Sequence, residues 1–283
     1  MRNRQLDRFG LKWNPFNPSI PIEACHISPQ VEQFLWKIEN LSRSGGFALV
    51  TGESGTGKSV ALRLLQNHLR KNPELTVAII TRPQGSISDF YRELGTLFGV
   101  QLSPHNRWAG AKELREQWRT HIEGSLFRSV LIIDEAQEMH SAVLSELRLL
   151  CSDKLDSRSL LTVVLCGDDR LPEKFRSREL MPLGTRIRSR VIMEHIRPAE
   201  LGEYLRYLMN EASNPALMTK EVQTTLCERA AGNLRILMNM SNDLLDAAIR
   251  NQADQIDEKL FLELFSPLIK SGTRQKTVPG KHQ

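Results

Sequence analysis

One octapeptide constrains this chain more than any other feature. Gly52-Glu-Ser-Gly-Thr-Gly-Lys58-Ser59 fits the pattern G-x-x-x-x-G-K-[ST] in full. It follows the apolar run Phe47-Ala-Leu-Val-Thr51 and opens an amphipathic stretch over residues 58–71. A strand, a glycine-rich turn and a helix in that order make a phosphate cradle. The glycines let the backbone curl until its N–H groups converge on anionic oxygens, and the helix adds the positive end of its dipole. Gly52, Glu53, Ser54, Gly55, Thr56, Gly57, Lys58, Ser59 and Val60 are therefore the expected nucleotide contacts. Lys58 is expected to reach the β- and γ-phosphates and the Ser59 hydroxyl to ligate Mg²⁺, so ATP and Mg²⁺ are the expected ligands.

The pattern around the cradle points to the sheet that carries it. Residues 76–80, 130–133, 161–165 and 191–193 are further short apolar runs, near-continuous rather than alternating. That is the pattern of strands buried on both faces of a parallel sheet. Residues 86–98, 111–124 and 139–151 lie between them with helical periodicity. Ser28-Pro29 supplies a cap and a first-turn proline for a helix to about Leu41. The expected class is α/β, a five-stranded parallel sheet flanked by helices. After Pro198 the strand signals stop, and residues 199–212, 219–231, 234–250 and 257–269 follow as four helical patterns. The expected divisions are an N-terminal arm and first helix (1–45), a P-loop core (46–197), a small helical lid (198–269) and a basic flexible tail (270–283).

Val130-Leu-Ile-Ile-Asp134-Glu135 sets two carboxylates at the end of a buried strand. Asp134 suits the holding of Mg²⁺, and Glu135 suits the orienting and polarising of an attacking water. Such runs are common in parallel sheets. Placed after the cradle and one strand before residues 161–165, this one makes nucleotide hydrolysis the expected chemistry rather than binding alone.

Charge needs to be resolved before it is interpreted. The net charge of the 283 residues is +5, yet residues 270–283 carry +4 and residues 1–12 carry +3, leaving −2 for the body. Within that body, residues 170–197 hold a net +5 that includes Arg186 and Arg190. Arginines just before the fifth strand are placed to project towards a neighbouring subunit's γ-phosphate. The four cysteines lie far apart without CxxC spacing, so a reducing compartment with no structural metal is expected. The longest apolar runs fall far short of the ~20 residues that span a bilayer, and no apolar segment follows the N-terminal charges. A cytoplasmic location with no membrane association is expected.

These residues together resemble a known family. Gly10-Leu-Lys-Trp-Asn-Pro-Phe16, the stretch from Gly46 to Ser59, Leu131-Ile-Ile-Asp-Glu-Ala-Gln137, Leu144-Ser-Glu-Leu-Arg-Leu-Leu150 and Gly232-Asn-Leu-Arg235 resemble the ExeA-type branch of the AAA+ ATPases. That branch stands close to the TniB, TnsC and MuB transposition ATPases. The resemblance covers about residues 6–265 and implies a five-stranded AAA+ core, a helical lid, and nucleotide bound between subunits of a homo-oligomeric ring or filament. By the family pattern Arg235 is the sensor-2 arginine, and Arg190, with Arg186 second, is the arginine finger. One departure stands out: after the fourth strand the family often carries Gln or Asn as its γ-phosphate sensor, and here the run is Leu165-Cys-Gly-Asp168-Asp169. An acid orients water but repels phosphate, so slow or partner-dependent hydrolysis is expected if Asp168 takes that place.

The resemblance implies two kinds of work. The first is a transposition helper that assembles with ATP on double-stranded DNA and recruits or activates a transposase. Arg82 and the helical face of Lys112, Arg115 and Arg119 are the candidate phosphate contacts. The second is a secretion-apparatus assembly ATPase acting on protein partners, which is expected to carry a membrane helix beyond the lid. The hydrophilic residues 270–283 favour the first reading. A regulatory switch ATPase with protein partners only is a weaker third.

Overall fold

The computed structural model of the protein describes residues 4–83, 85–101, 107–155 and 157–265. Among these residues the strands are β1 (Gly46–Thr51), β2 (Val77–Ile80), β3 (Val130–Ile133), β4 (Ser152–Asp153), β5 (Arg158–Ser159), β6 (Thr162–Gly167) and β7 (Ile187–Ile192). The helices are α1 (Arg4–Asp7), α2 (Pro29–Ser44), α3 (Lys58–Arg70), α4 (Ile87–Phe98), α5 (Arg107–Ser125) and α6 (Ser141–Cys151). They continue as α7 (Arg170–Lys174), α8 (Met181–Gly184), α9 (Pro198–Glu211), α10 (Lys220–Ala230), α11 (Leu234–Arg250) and α12 (Glu258–Phe265). Residues 266–269 of the expected last helix, and the tail, lie outside the described residues.

Five strands form one parallel sheet in the order β2-β3-β6-β1-β7. The central strands β1, β3 and β6 are buried at every position. Their continuous apolarity follows from that: helices cover both faces, so neither face of the pleat meets water. Strand β7 differs. It begins at Ile187, four residues before the apolar run that announces it, because Arg188, Arg190 and Ile192 are exposed on this edge strand. An edge tolerates charge on one face, and half the strand therefore carries no buried-strand signal.

The local signals elsewhere act as their chemistry dictates. The Ser28 hydroxyl accepts from Val31 N at the start of α2, with Pro29 in the first turn. Ser86 caps α4 in the same way. The short hairpin β4–β5 was not foreseen, since four paired residues carry no period.

Three apolar clusters fill the interior. One lies under α4, α5 and α6, and a second packs α2 and α3 on the opposite face of the sheet. The third is the helical domain's own core, and Phe9, Leu11 and Phe16 are buried in it. The N-terminal segment is thus part of the lid's packing. Lys12 N donates to Ala212 O at 3.1 Å, Asn214 Nδ2 to Phe9 O at 2.9 Å, and Asn14 Nδ2 to Asn242 Oδ1 at 2.7 Å. On its other side the segment is held by the core: the Arg63 guanidinium on α3 donates to Pro18 O at 2.7 Å and Ile20 O at 2.8 Å. Among the described residues no helix is long and apolar enough to cross a membrane.

Candidate functional site

The sheet order brings the carboxyl ends of β1, β3 and β6 side by side, where open α/β sheets hold their ligands. The loop from Gly52 to Gly57 leaves β1 and turns directly into α3. Gly57 sits at the head of that helix with no side chain capping it, so the first-turn N–H groups face the loop's concavity. Thr56 Oγ1 donates to Glu53 O at 2.9 Å, and Lys58 Nζ lies inside the curl, donating to Gly52 O at 2.6 Å and Glu53 O at 2.8 Å. Gly55 holds a φ of +88°, and a Cβ there would stand 2.0 Å from Asn233 Oδ1. Both the turn and the approach of the lid demand glycine.

Asp134 and Glu135 follow β3 into this space. Burial pushes the Asp134 carboxyl above the usual carboxylate range, against the lowering effect of the Glu135 N–H and of nearby Lys58. Glu135 N donates to Asp134 Oδ1 at 3.0 Å, and Glu135 itself has a φ of +52°, a strained backbone for a residue with a side chain. Gln137 Nε2 donates to Glu135 Oε2 at 2.5 Å. From the end of β6, the Asp168 carboxylate accepts from Arg170 Nε at 2.8 Å and from Arg170 N at 3.0 Å. Arg170 holds that carboxyl below its usual range and also reaches Glu138 Oε1 at 2.7 Å. Arg170 therefore offsets part of the negative charge that counted against Asp168 as a phosphate neighbour, while sharing itself with Glu138.

The lid closes the cradle through its Gly232-Asn-Leu-Arg235 turn. Asn233 Nδ2 donates to Ser54 O at 2.8 Å, Leu234 N to Gly55 O at 2.9 Å, and Arg235 Nη1 to Ser54 Oγ at 2.6 Å. Glu53 on the loop's outer side meets His195 Nε2 at 2.9 Å, and the carboxylate raises the imidazole's pKa. A cavity of about 480 Å³ runs between loop and lid. Its lining divides into the polar Lys58, Ser59, Glu135, Asp168 and Arg235 and the largely apolar Pro15, Phe16, Tyr204, Leu208 and Met238. That division suits a ligand with an anionic tail and a flat heterocycle. Burial pushes the Tyr204 hydroxyl up to about 12, so it stays protonated as part of this wall.

The expected nucleotide contacts lie at this end of the sheet, as does Arg82 just after β2, whereas Arg186, Arg190, Lys112, Arg115 and Arg119 are placed elsewhere. Arg186 lies at the opposite end, in a pocket of about 250 Å³ with Arg148, Arg158 and Arg188 beside the start of β1. A strand's length, about 20 Å, separates it from the loop of its own subunit. Arg190 is exposed on edge strand β7, with Nη2 donating to Gly184 O at 3.3 Å. On α5, Arg115 is turned inward: its Nη1 caps the end of α6 through Leu150 O at 2.9 Å and also reaches Ser152 O. Arg119 Nη2 pairs with Asp153 Oδ1 at 2.8 Å. Both guanidiniums are committed to the hairpin, whereas Lys112 is exposed with its ammonium 5.9 Å from the Trp108 ring centroid, and Arg82 is exposed after β2. Sequence reasoning missed Asn233 as a contact, Gln137, Arg63 and the wall formed by Pro15 and Phe16. Their only sequence signal was membership of the quoted family motifs, and for Arg63 there was none.

Residues 41–175 match the family described as AAA domain. General secretion pathway protein A of Aeromonas hydrophila is 32% identical over 241 residues, 83% of this chain and 43% of that protein. The chain thus spans less than half the length of that relative. ATP-dependent target DNA activator B of Escherichia phage Mu is 25% identical over 257 residues, 88% of this chain and 75% of its own. Among solved structures, Cdc6p from Pyrobaculum aerophilum superposes with a TM-score of 0.67 at 15% identity, over 86% of this chain and 67% of that one. Sheet, lid and cradle agree with these matches: the chain carries an AAA domain in an AAA+ P-loop fold, and its relatives include the secretion pathway protein and the phage target DNA activators.

Proposed function

We propose that the chain is an ATP hydrolase that assembles with ATP on double-stranded DNA and serves as a transposition helper, recruiting or activating a transposase. The observation that carries the hydrolytic part is the meeting of Lys58, Ser59, Glu135 and Arg235 in the lining of one cavity, with Asp134 next to Glu135 and within electrostatic reach of Lys58. Ser59 and Asp134 would hold Mg²⁺, which neutralises developing charge on the phosphates when bound. Glu135 orients and deprotonates the attacking water, and Arg235 couples the lid to the nucleotide.

The placement of the arginines supports a homo-oligomer. Arg186, in its pocket with Arg148, Arg158 and Arg188, lies too far from its own loop to act there and suits a neighbouring subunit's γ-phosphate. Arg190, which the family pattern ranks ahead of Arg186, is the other candidate, exposed on edge strand β7. The DNA part draws on the phage relative, described as an ATP-dependent target DNA activator. Within the candidate DNA surface Arg82 and Lys112 are the exposed cations, and Arg115 and Arg119 would have to leave Asp153 to take part.

A second reading, an ATPase of secretion-apparatus assembly acting on protein partners, is favoured by the higher identity to the secretion pathway protein. Sedimentation with duplex DNA and a non-hydrolysable ATP analogue separates the two. DNA-dependent assembly that weakens steeply with salt supports the transposition helper. No assembly at low salt overturns it in favour of the secretion reading. For the chemistry, Glu135→Gln keeps ATP bound and lowers turnover by roughly 10²–10⁴-fold, the worth of a positioned general base.

A further inference from the structure

The carboxylate that activates water must point at it, yet nothing in an Asp-Glu pair by itself aims the second side chain. We infer that Gln137 is the positioning residue for Glu135, and that it ties the base to the backbone at the end of β6. The inference rests on the hydrolytic reading above.

Gln137 is buried, 8% exposed, in the turn after β3. Its amide bridges two elements: Nε2 donates to Glu135 Oε2 at 2.5 Å, and Oε1 accepts from Asp168 N at 3.3 Å. Chemistry fixes that orientation, because a carboxylate only accepts and a backbone N–H only donates. The turn is itself anchored, with Lys174 Nζ donating to Gln137 O at 2.9 Å and also to Met139 O. The left-handed backbone of Glu135 is held by Asp134 on its N–H and by Gln137 on its side chain.

Gly167 makes the bridge possible. A Cβ there would stand 2.3 Å from Gln137 Oε1, inside any tolerable contact, so the last residue of β6 has to lack a side chain for the amide to lie across it. Meanwhile the Asp168 carboxylate is turned to Arg170. The polar side chain that this strand end does not offer is supplied by Gln137 from the turn after the neighbouring strand. A shift of the β6 end, whatever sets it, passes through one amide to the base.

One variant and a cycle test this. Gln137→Leu keeps volume and removes both hydrogen bonds. Its affinity for a fluorescent ATP analogue and its KM are expected to stay within about twofold, while kcat falls roughly 10–100-fold, the cost of a misplaced catalytic group. Unchanged kcat beside an inactive Glu135→Gln, or a loss confined to KM, overturns the inference and leaves hydrolysis standing. A wild-type protein that fails to hydrolyse ATP with or without DNA overturns the hydrolytic reading instead. The urea-unfolding cycle of Gly167→Ala with Gln137→Ala reads the contact without turnover. Gly167→Ala is expected to destabilise the wild type and to cost clearly less once Gln137 is truncated. Additive effects overturn the bridge.

Discussion

Asn233 Nδ2, on the lid, donates to the Ser54 carbonyl of the phosphate loop at 2.8 Å, across 179 residues of sequence. The same side chain accepts from Ile236 N at 3.1 Å and so caps α11. One residue both starts the lid helix and pins the lid to the loop. Asn233→Ser keeps a capping oxygen but is too short to reach Ser54. It is expected to leave thermal stability nearly unchanged and to weaken nucleotide binding by roughly fivefold, the equivalent of one hydrogen bond of about 1 kcal/mol. A nucleotide titration checks this, and Arg235→Ala is expected to weaken binding further.

The arginine pocket makes a prediction about mixtures. Arg186→Ala alone lowers turnover by about 10³-fold if the residue serves a neighbour's phosphate. Mixed with Glu135→Gln subunits, it regains part of the rate, because some interfaces then pair an intact finger with an intact base. Recovery with Arg190→Ala and none with Arg186→Ala would instead assign the finger to Arg190.

The strap from Phe9 to Ile20 is gripped by the lid at one end and by Arg63 at the other. Arg63→Met keeps much of the apolar stem and loses both carbonyl contacts. Nucleotide affinity is expected to fall several-fold with the adenine wall loosened, about 1 kcal/mol per lost charged hydrogen bond at a partly exposed site. Hydrogen exchange at residues 16–20 is expected to rise in parallel.

Acid stability follows from Asp153. Its carboxyl is held below the usual range chiefly by the Arg119 hydrogen bond, with Arg115 adding charge. A depressed folded pKa contributes stability that is fully present above the unfolded value near 3.9 and is lost as pH falls through the lower, folded value. Asp153→Asn is therefore expected to cost roughly 1–2 kcal/mol at neutral pH, allowing for the partly exposed Arg119, and to flatten the acid limb of a stability–pH curve. Urea unfolding between pH 2 and 7 measures both.

Where contiguous residues carry the information, the sequence was legible. The cradle, the Asp-Glu strand end, the three central strands and the Ser28 cap each depend on neighbours within a few positions. Arginines were the least legible. Arg115 and Arg119 share a helical face at the spacing of a phosphate-binding stripe, yet both turn to a hairpin that has no sequence period. The start of β7 was missed because an edge strand does not need the apolarity that marks a buried one.

By itself, then, the chain's sequence determined the chemistry available: a glycine-rich turn with Lys58 and Ser59, two carboxylates after β3, and a lid arginine at Arg235. Tertiary structure alone decided which groups meet. The order β2-β3-β6-β1-β7 sets Gln137 against Asp168, and the docking of the N-terminal strap and the lid on the core sets Arg63 against Ile20 and Asn233 on Ser54. Helix and strand periods arise from local backbone geometry and are written into short windows. Contacts between distant elements depend on the topology that stacks them, and no window contains both partners.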